Sequence, residues 1–156
     1  ATAGPNAKWP SRDVSTLPKL LDPGRGLVST TSDYARFLQM LLNGGELDGV
    51  RLLGRNTVEY MTVDHLCKTI PKTGPYYFPG PGHGFGFGFA VREYPGISDL
   101  PGAVGDYWWQ GSQGTYFFVS PREDLFAIFM SQANDFAKLM RYHKLTKILV
   151  MQAIVD

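Results

Sequence analysis

The segment Gly105–Gln132 constrains the fold more than any other part of this chain. It combines aromatic and β-branched runs with two glycines and with a Ser-Pro-Arg-Glu sequence at 120–123. Runs of this composition, bounded by Gly and Pro, are typical of adjacent antiparallel strands. We therefore predict three strands, near residues 105–111, 114–120 and 125–132, with a turn at 120–123.

A glycine-rich stretch, His83–Val91, alternates strictly between Phe or Val and Gly or Ala. Period-two alternation predicts one further strand, whose small face admits another backbone layer. The repeat resembles a phosphate-binding loop, but no helix follows at which a phosphate would bind. We interpret it as close packing within a sheet.

Three helices are predicted around these strands. The first has Thr31 or Ser32 as its N-cap and ends at the pair Gly44–Gly45, with apolar residues at helical spacing between them. A shorter helix covers 56–62, and the last runs from about 135 to 154. Each of these patterns comes from local sequence alone.

The predicted fold class is α+β, an antiparallel sheet with the C-terminal helix packed on it, in a single partial domain over residues 1–156. A turn is expected at Asp48-Gly49. The basic stretch Lys138–Lys147, which includes His143, is interpreted as the exposed face of the last helix. The other face of the sheet, and one edge, would then need to be covered by something else.

Composition excludes several function classes. A length of 156 residues fits one domain, and a net charge of +1 favours neither a nucleic-acid nor a membrane-surface partner. Cys67 is the single cysteine, which excludes an internal disulfide, and the histidines lack metal-ligand spacing. We predict no metal, no cofactor and no membrane span. The compartment is not determined, and the start at Ala1 suggests an excised piece of a longer protein.

Two motifs resemble signatures of serine enzymes, and both depart from them. Gln110–Gly114 lacks the first glycine of Gly-x-Ser-x-Gly, and a strand instead of a helix follows Ser112. Lys72–Gly74 spells Lys-Thr-Gly, but Pro75 follows and has no N–H to donate. We interpret Lys72–Gly74 as part of a loop, and Ser112 as a residue other than the nucleophile.

The sequence Trp109-Gln110-Gly111-Ser112 is the remaining candidate. It lies in a predicted strand, Gly111 would let a substrate backbone approach, and Ser112 has an N–H to donate. In the competing interpretation, Trp108 and Trp109 are core aromatics on opposite faces of the strand and Gly111 forms a bulge. The residues by themselves leave both interpretations open.

Several blocks of the chain, in order, resemble the second half of the serine β-lactamase-like family. This family includes class C β-lactamases, penicillin-binding D-Ala-D-Ala peptidases and related esterases. Gly26–Leu53 is similar to a helical block of that half, Gly84–Val91 to its glycine-rich strand, and Tyr107–Gln132 to the strand of its third motif with the following hairpin. The resemblance implies a partial β-lactamase/transpeptidase-like fold.

The resemblance also implies acyl transfer through a serine ester. In the esterase-like branch, Trp or His often replaces the lysine of the third motif, and Trp109-Gln110-Gly111 fits that pattern. These three residues would then bind a small acyl substrate with an ester, amide or β-lactam bond. Ser112 would supply one backbone N–H of the oxyanion hole.

The first half of the family pattern is absent from this chain. No serine is followed three residues later by lysine, and no Tyr-x-Asn or Tyr-Ser pair occurs. We therefore expect the chain alone to be inactive and to need a partner, either the missing N-terminal half of the domain or a second copy of the chain. The alternative is a non-catalytic binding or scaffold domain derived from this fold.

Overall fold

The computed structural model of the chain describes residues 15, 16, 19, 27–66, 68–74, 77–132 and 135–155. Within these ranges it contains three helices and seven strands. The helices are α1 (Thr31–Leu42), α2 (Arg55–Met61) and α3 (Phe136–Gln152), and the strands are β1 (Glu46–Leu47), β2 (Val50–Arg51), β3 (His83–Phe85), β4 (Ala90–Arg92), β5 (Tyr107–Gln110), β6 (Tyr116–Ser120) and β7 (Leu125–Phe129). Cys67 and Pro75 lie outside the described residues.

Helix α1 begins one residue earlier than predicted. The side chain of Thr30 is the N-cap and accepts a hydrogen bond from the Asp33 N–H at 3.1 Å. At the other end Gly44 takes a φ of 69°, and the N–H of Gly45 donates to the Met40 carbonyl. The predicted glycine stop is confirmed. The Asp48-Gly49 turn is also confirmed, since it joins β1 to β2 as a hairpin.

Strands β3 to β7 form one antiparallel sheet in sequence order, β3-β4-β5-β6-β7. The three strands predicted after residue 105 are confirmed as β5, β6 and β7. The turn between β6 and β7 lies at 121–124, one residue beyond the predicted span. The α+β class, with an antiparallel sheet and a C-terminal helix packed on it, is confirmed.

The prediction of a single strand over 83–91 is wrong. The segment forms two strands, β3 and β4, paired through Gly84↔Val91 and Phe85↔Ala90. The chain reverses between them because Gly88 adopts a φ of 88°, and the N–H of Gly86 donates to the Phe89 carbonyl at 2.8 Å. Alternation of Gly and Phe is compatible with either arrangement, so the pattern did not reveal the turn.

Helices cover both faces of the sheet. On one face, buried Leu38 and Leu41 of α1 and Val58 of α2 join Tyr107 and Phe117 of the sheet in one hydrophobic core. Each fully buried side chain of this size contributes about 1.5–3 kcal/mol to folding. The prediction that this face is left uncovered is therefore wrong where α1 and α2 pack on it.

Helix α3 lies on the opposite face of the sheet, and its predicted exposed basic surface needs correction. Leu139, His143 and Lys147 are spaced four residues apart and are 2%, 4% and 4% exposed. This stripe packs against the sheet, and Lys147 Nζ lies 3.9 Å from the centre of the Phe118 ring. Lys144, between them, is exposed and ion-paired with Asp99. No helix in the described part of the chain is long and apolar enough to cross a bilayer.

Candidate functional site

The candidate residues lie at the hairpin between β5 and β6. A three-residue loop, Ser112–Gly114, connects the strands, with the N–H of Gly114 donating to Gly111 O at 3.0 Å. The N–H of Gly111 donates to Thr115 O at 2.8 Å, and Gly114 takes a φ of 104°. A type I turn followed by a positive-φ glycine is a common three-residue hairpin loop. The glycine that this loop requires is Gly114.

The predicted alternative of a bulge at Gly111 is wrong. Pairing of β5 with β6 continues without interruption from Tyr107↔Val119 to Gln110↔Tyr116. A Cβ on Gly111 would lie 2.2 Å from Thr115 Oγ1. The missing side chain of Gly111 thus makes room for Thr115, which differs from the predicted reason for a glycine here.

Ser112 is exposed at the first position of the loop. Its backbone N–H has no acceptor within the described part of the chain. Hydrogen bonds on either side of it, from the N–H groups of Gly111 and Gly114, close the loop. The Ser112 N–H is therefore an available donor at the tip of the hairpin.

Among the residues that the structure describes, none pairs with the edge of β5 beside this loop, and we call this the open edge. Pairing with β4 covers only Val91↔Tyr107 and Ala90↔Trp108, because the chain before Ala90 turns away at Gly88. Successive N–H groups of a strand point to alternate edges, and that of Gly111 points to β6. The N–H of Gln110 therefore points to the open edge, where an extended ligand can pair with the strand.

The two tryptophans lie on opposite faces of β5, as the competing interpretation predicted. Trp109 packs against the core beneath α1, with its ring edge-on to Phe85 at 4.9 Å between centroids. Trp108 lies on the α3 face, 5.9 Å from His83 and 6.0 Å from Tyr116. Both indoles are only partly buried, so Trp109 combines a packing role with an accessible surface.

The side chain of Gln110 points to the α3 face. Its Oε1 atom lies 3.1 Å from Nδ1 of His143. Trp109 and Gln110 therefore do not converge on one side of the sheet. The predicted site residues share the open strand edge and the loop, and only their backbone groups meet there.

A cavity of about 390 Å³ lies behind the hairpin on the α3 side. Its walls include three aromatic residues and two histidines. These are Phe78, Trp108, Tyr116, His83 and His143. Trp108 and Gln110 of β5 also line this cavity, so it adjoins the open edge on the α3 side, whereas Trp109 is not among its lining residues.

The Lys72–Gly74 sequence lies in a loop, as predicted. Lys72 Nζ is ion-paired with Asp64 and, at 2.7 Å, with Glu93. Burial by itself would lower the pKa of Lys72, but the hydrogen bonds to Asp64 and Glu93 raise it well above the ordinary lysine value. A lysine held in the charged form by two carboxylates is a poor general base.

Sequence reasoning missed His143, which contacts Gly114 at the end of the Ser112 loop and Gln110 at the end of β5. Burial lowers its pKa, and the hydrogen bond to Gly114 O only partly offsets this, so the ring is neutral at pH 7. Its spacing from Leu139 and Lys147 is the helical signal that marks a buried stripe. No group of three His, Cys, Asp or Glu side chains suited to a metal occurs among the residues the structure describes.

Comparison with known sequences gives one family. The sequence model of the family described as Beta-lactamase matches residues 1–151. Two curated relatives from Mycobacterium tuberculosis, Uncharacterized protein MT1414 and Protein Rv1367c, are each 36% identical over 123 residues. The match covers 75% of this chain and 30% of each relative. The chain thus spans less than a third of the length of the curated relatives it matches.

Two solved structures have a fold similar to that of this chain. One is described as EstCE1, a hydrolase with promiscuous acyltransferase activity, with a TM-score of 0.50 and 24% identity over 72% of this chain and 28% of that chain. The other is described as a putative beta-lactamase from Bacteroides dorei DSM 17855, with a TM-score of 0.55 and 19% identity over 78% of this chain and 40% of that chain. At these identities the likeness concerns the fold.

Proposed function

The chain belongs to the β-lactamase family, and on that premise we propose that it is the C-terminal part of a serine hydrolase that acts by acyl transfer on an ester, amide or β-lactam bond. The observation that carries the proposal concerns exposed Ser112 beside the open edge of β5, whose N–H has no acceptor among the described residues. A donor of this kind is what an acyl-transfer site needs opposite its nucleophile.

The proposed role of Ser112 is electrostatic. When a nucleophile attacks the acyl carbon, the carbonyl oxygen gains negative charge, and the Ser112 N–H donates a hydrogen bond to it. When the bond to the leaving group breaks, that group departs with the proton that the nucleophile's hydroxyl gave up, and the carbonyl forms again as an ester of the nucleophile. Water then hydrolyses this ester, which releases the carboxylic acid and restores the hydroxyl. Loss of one such donor typically costs about 10²–10³ in rate.

The open edge of β5 is the proposed place for the rest of the substrate. An extended acyl compound that lies along the strand can accept a hydrogen bond from the Gln110 N–H. Trp109 offers it an apolar surface on the core side of the sheet. The fold shared with EstCE1, described as a hydrolase with acyltransferase activity, supports esters as the first substrates to test.

The nucleophile has to come from outside the 156 residues, because no Ser-x-x-Lys sequence occurs in them. We propose the N-terminal half of the same domain as the partner, with a second copy of the chain as the other possibility. The short match to longer relatives supports the first choice. The chain alone is then inactive.

Proline at position 112 tests the donor. Ser112 is the second residue of the turn that the Gly114 N–H closes onto Gly111 O. The second position of type I and type II turns favours proline, so we expect Ser112→Pro to remove the N–H while the turn is kept. The test uses a longer form of the protein that includes the proposed N-terminal half with a Ser-x-x-Lys segment. In that form we expect Ser112→Pro to lower nitrophenyl-ester turnover by a factor of about 10²–10³. Ser112→Ala keeps the N–H, and retained turnover would assign the effect to that group.

Two outcomes would overturn the proposal. Turnover that survives Ser112→Pro would remove the N–H from the mechanism. Turnover by the 156-residue chain alone that is abolished by Ser112→Ala would make the hydroxyl the nucleophile.

The second candidate, a non-catalytic binding domain, is favoured by the lack of a nucleophile in this chain, and it predicts ester or lactam binding without turnover in any form of the protein.

A further inference from the structure

We propose that His143 on α3 is a positioning residue, which holds the Ser112 loop from behind and thereby aims the Ser112 N–H. The inference rests on the function proposed for Ser112. It concerns a residue on the opposite side of the sheet from the acyl substrate, and it depends on contacts that can be tested without turnover.

His143 contacts the hairpin on both sides of Ser112. Its Nε2 atom donates to the carbonyl of Gly114, 2.9 Å away, and its Nδ1 lies 3.1 Å from the terminal amide of Gln110. The ring also stacks on Tyr116, with 4.9 Å between centroids and 13° between planes. One imidazole therefore joins the last residue of β5, the end of the loop and the first residue of β6.

The protonation state of the ring follows from its partners. A carbonyl oxygen only accepts, so Nε2 carries the hydrogen, and Nδ1 of the neutral ring is an acceptor. The Gln110 amide meets this acceptor when it turns its NH₂ toward Nδ1, a half-turn about the terminal bond. His143 and Gln110 then form a directed chain of hydrogen bonds behind the loop.

The fit of α3 against Gly114 leaves little freedom at this point. A Cβ at Gly114 would lie 2.5 Å from Leu139 Cδ2 and 2.5 Å from Ser131 Oγ. Ser131 Oγ also donates to Gly114 O at 2.9 Å. The Gly114 carbonyl thus accepts two hydrogen bonds from side chains, and both donors come from outside the hairpin.

The loop has only two backbone hydrogen bonds of its own among the described residues, from Gly111 and Gly114. A loop braced so lightly at its tip exchanges between conformations unless it is held elsewhere. His143 is buried and fully partnered, and it supplies that support. Its proposed effect on catalysis is indirect, since it touches neither substrate nor the reacting atoms.

The first experiment measures amide hydrogen exchange in the 156-residue chain. His143→Phe keeps an aromatic ring on Tyr116 but removes both hydrogen bonds, and His143→Gln keeps an amide that can donate to Gly114 O. In His143→Phe we expect exchange at the hydrogen-bonded amides of Gly111 and Gly114 to become about tenfold faster, with α1 unchanged. His143→Gln restores part of the protection. Lys144→Gln, on the next residue and exposed, is the matched control and leaves the loop unchanged.

The second experiment measures ester turnover by the longer, active protein. We expect His143→Phe to lower kcat about tenfold with KM nearly unchanged, and His143→Gln to recover part of kcat. If His143 only stabilised the fold, His143→Phe would lower the amount of folded protein, but the kcat of the folded molecules would stay the same. If His143→Phe does not fold, Ser131→Ala removes the other hydrogen bond to Gly114 O and should give a smaller change in the same direction.

Unchanged exchange at the Gly111 and Gly114 amides in folded His143→Phe would overturn the inference, and so would faster exchange with an unaltered kcat. An unmutated protein without turnover in any form would instead refute the proposed function, while the exchange experiment would still decide whether His143 holds the loop. The two failures are therefore distinguishable.

Discussion

Lys147 Nζ lies 2.7 Å from Asp106 Oδ2, and the two side chains are 6% and 3% exposed between α3 and the sheet. Asp106 also accepts from Ser120 Oγ at 2.7 Å and from the Ala103 N–H at 3.2 Å. Buried charges are stable only when they are paired and hydrogen-bonded in this way. The pair fastens α3 to the sheet one helical turn beyond His143.

Loss of one partner of this pair should be costly. In Lys147→Met the Asp106 carboxylate stays buried without its cation, and we expect the free energy of unfolding to fall by about 3–5 kcal/mol. Urea denaturation of the chain measures this. Lys144→Met is the matched control, because it breaks the exposed pair with Asp99 and should cost less than about 1 kcal/mol. Equal losses in the two variants would contradict the assignment.

The contact between Gly111 and Thr115 predicts a compensating pair of substitutions. Gly111→Ala places a Cβ against Thr115 Oγ1, and we expect it to destabilise the chain by about 1–3 kcal/mol. Thr115→Ala removes that oxygen, and the next nearest atom, Thr115 Cβ, is at 3.6 Å. The double variant should therefore recover most of the loss in a double-mutant cycle. Additive losses would show that the glycine is needed for another reason.

Stability should fall in mild acid because of two buried histidines. Burial, with a contribution from the charge of Arg92, lowers the pKa of His83, and burial lowers the pKa of His143 from the ordinary value of 6.5. As the pH falls through about 6.5, the unfolded chain takes up protons that the folded chain does not, so the free energy of unfolding decreases. For each pH unit by which burial lowers the pKa of a histidine, the free energy of unfolding falls by about 1.4 kcal/mol once the pH is below the pKa of the folded state.

Urea midpoints at pH 7.5 and 5.5 measure this loss. The pKa values of Asp64 and Asp99 are also lowered, but from 3.8. Protonation of those carboxylates therefore affects the free energy of unfolding only below this pH range. Replacement of both His83 and His143 by Phe should remove the dependence between pH 7.5 and 5.5. A midpoint that stays constant in the unmutated chain would contradict the buried, neutral state of the two rings.

Lys72 should be dispensable for catalysis in an active form of the protein. Lys72→Gln breaks the ion pairs with Asp64 and Glu93, and we expect it to lower the free energy of unfolding by about 1.5–3 kcal/mol. Its kcat/KM for a nitrophenyl ester should stay within about a factor of two. A large fall in kcat with unchanged stability would instead give the Lys-Thr-Gly sequence a catalytic role.

The strands after residue 105 and the first helix could be predicted because their signals are local. The side chain of Thr30, next to the predicted cap, accepts a hydrogen bond from a free N–H at the start of α1. Gly44 ends the helix through a backbone conformation that favours glycine. The single strand predicted over 83–91 failed because a hairpin of alternating residues has the same pattern as a strand. Only the φ of Gly88 separates the two cases.

The surroundings of the proposed site residues differ in detail from those predicted. The Trp109–Ser112 segment lies at a strand end with an accessible N–H, but Gly111 accommodates Thr115 and Gln110 points to the far side of the sheet. The partners of these residues are distant in the chain. His143 is 33 residues from Gln110, and the basic residues around it suggested an exposed surface.

The sequence by itself determined the three helices, the strands after residue 105 with the hairpin at 111–115, and the absence of a Ser-x-x-Lys sequence from these 156 residues, since each depends on neighbouring residues. Tertiary structure decided that α1 and α2 cover one face of the sheet while His143 and Lys147 are buried on the other. The physical reason is that a buried polar group is stable only with specific partners, and those partners come together only when the chain folds.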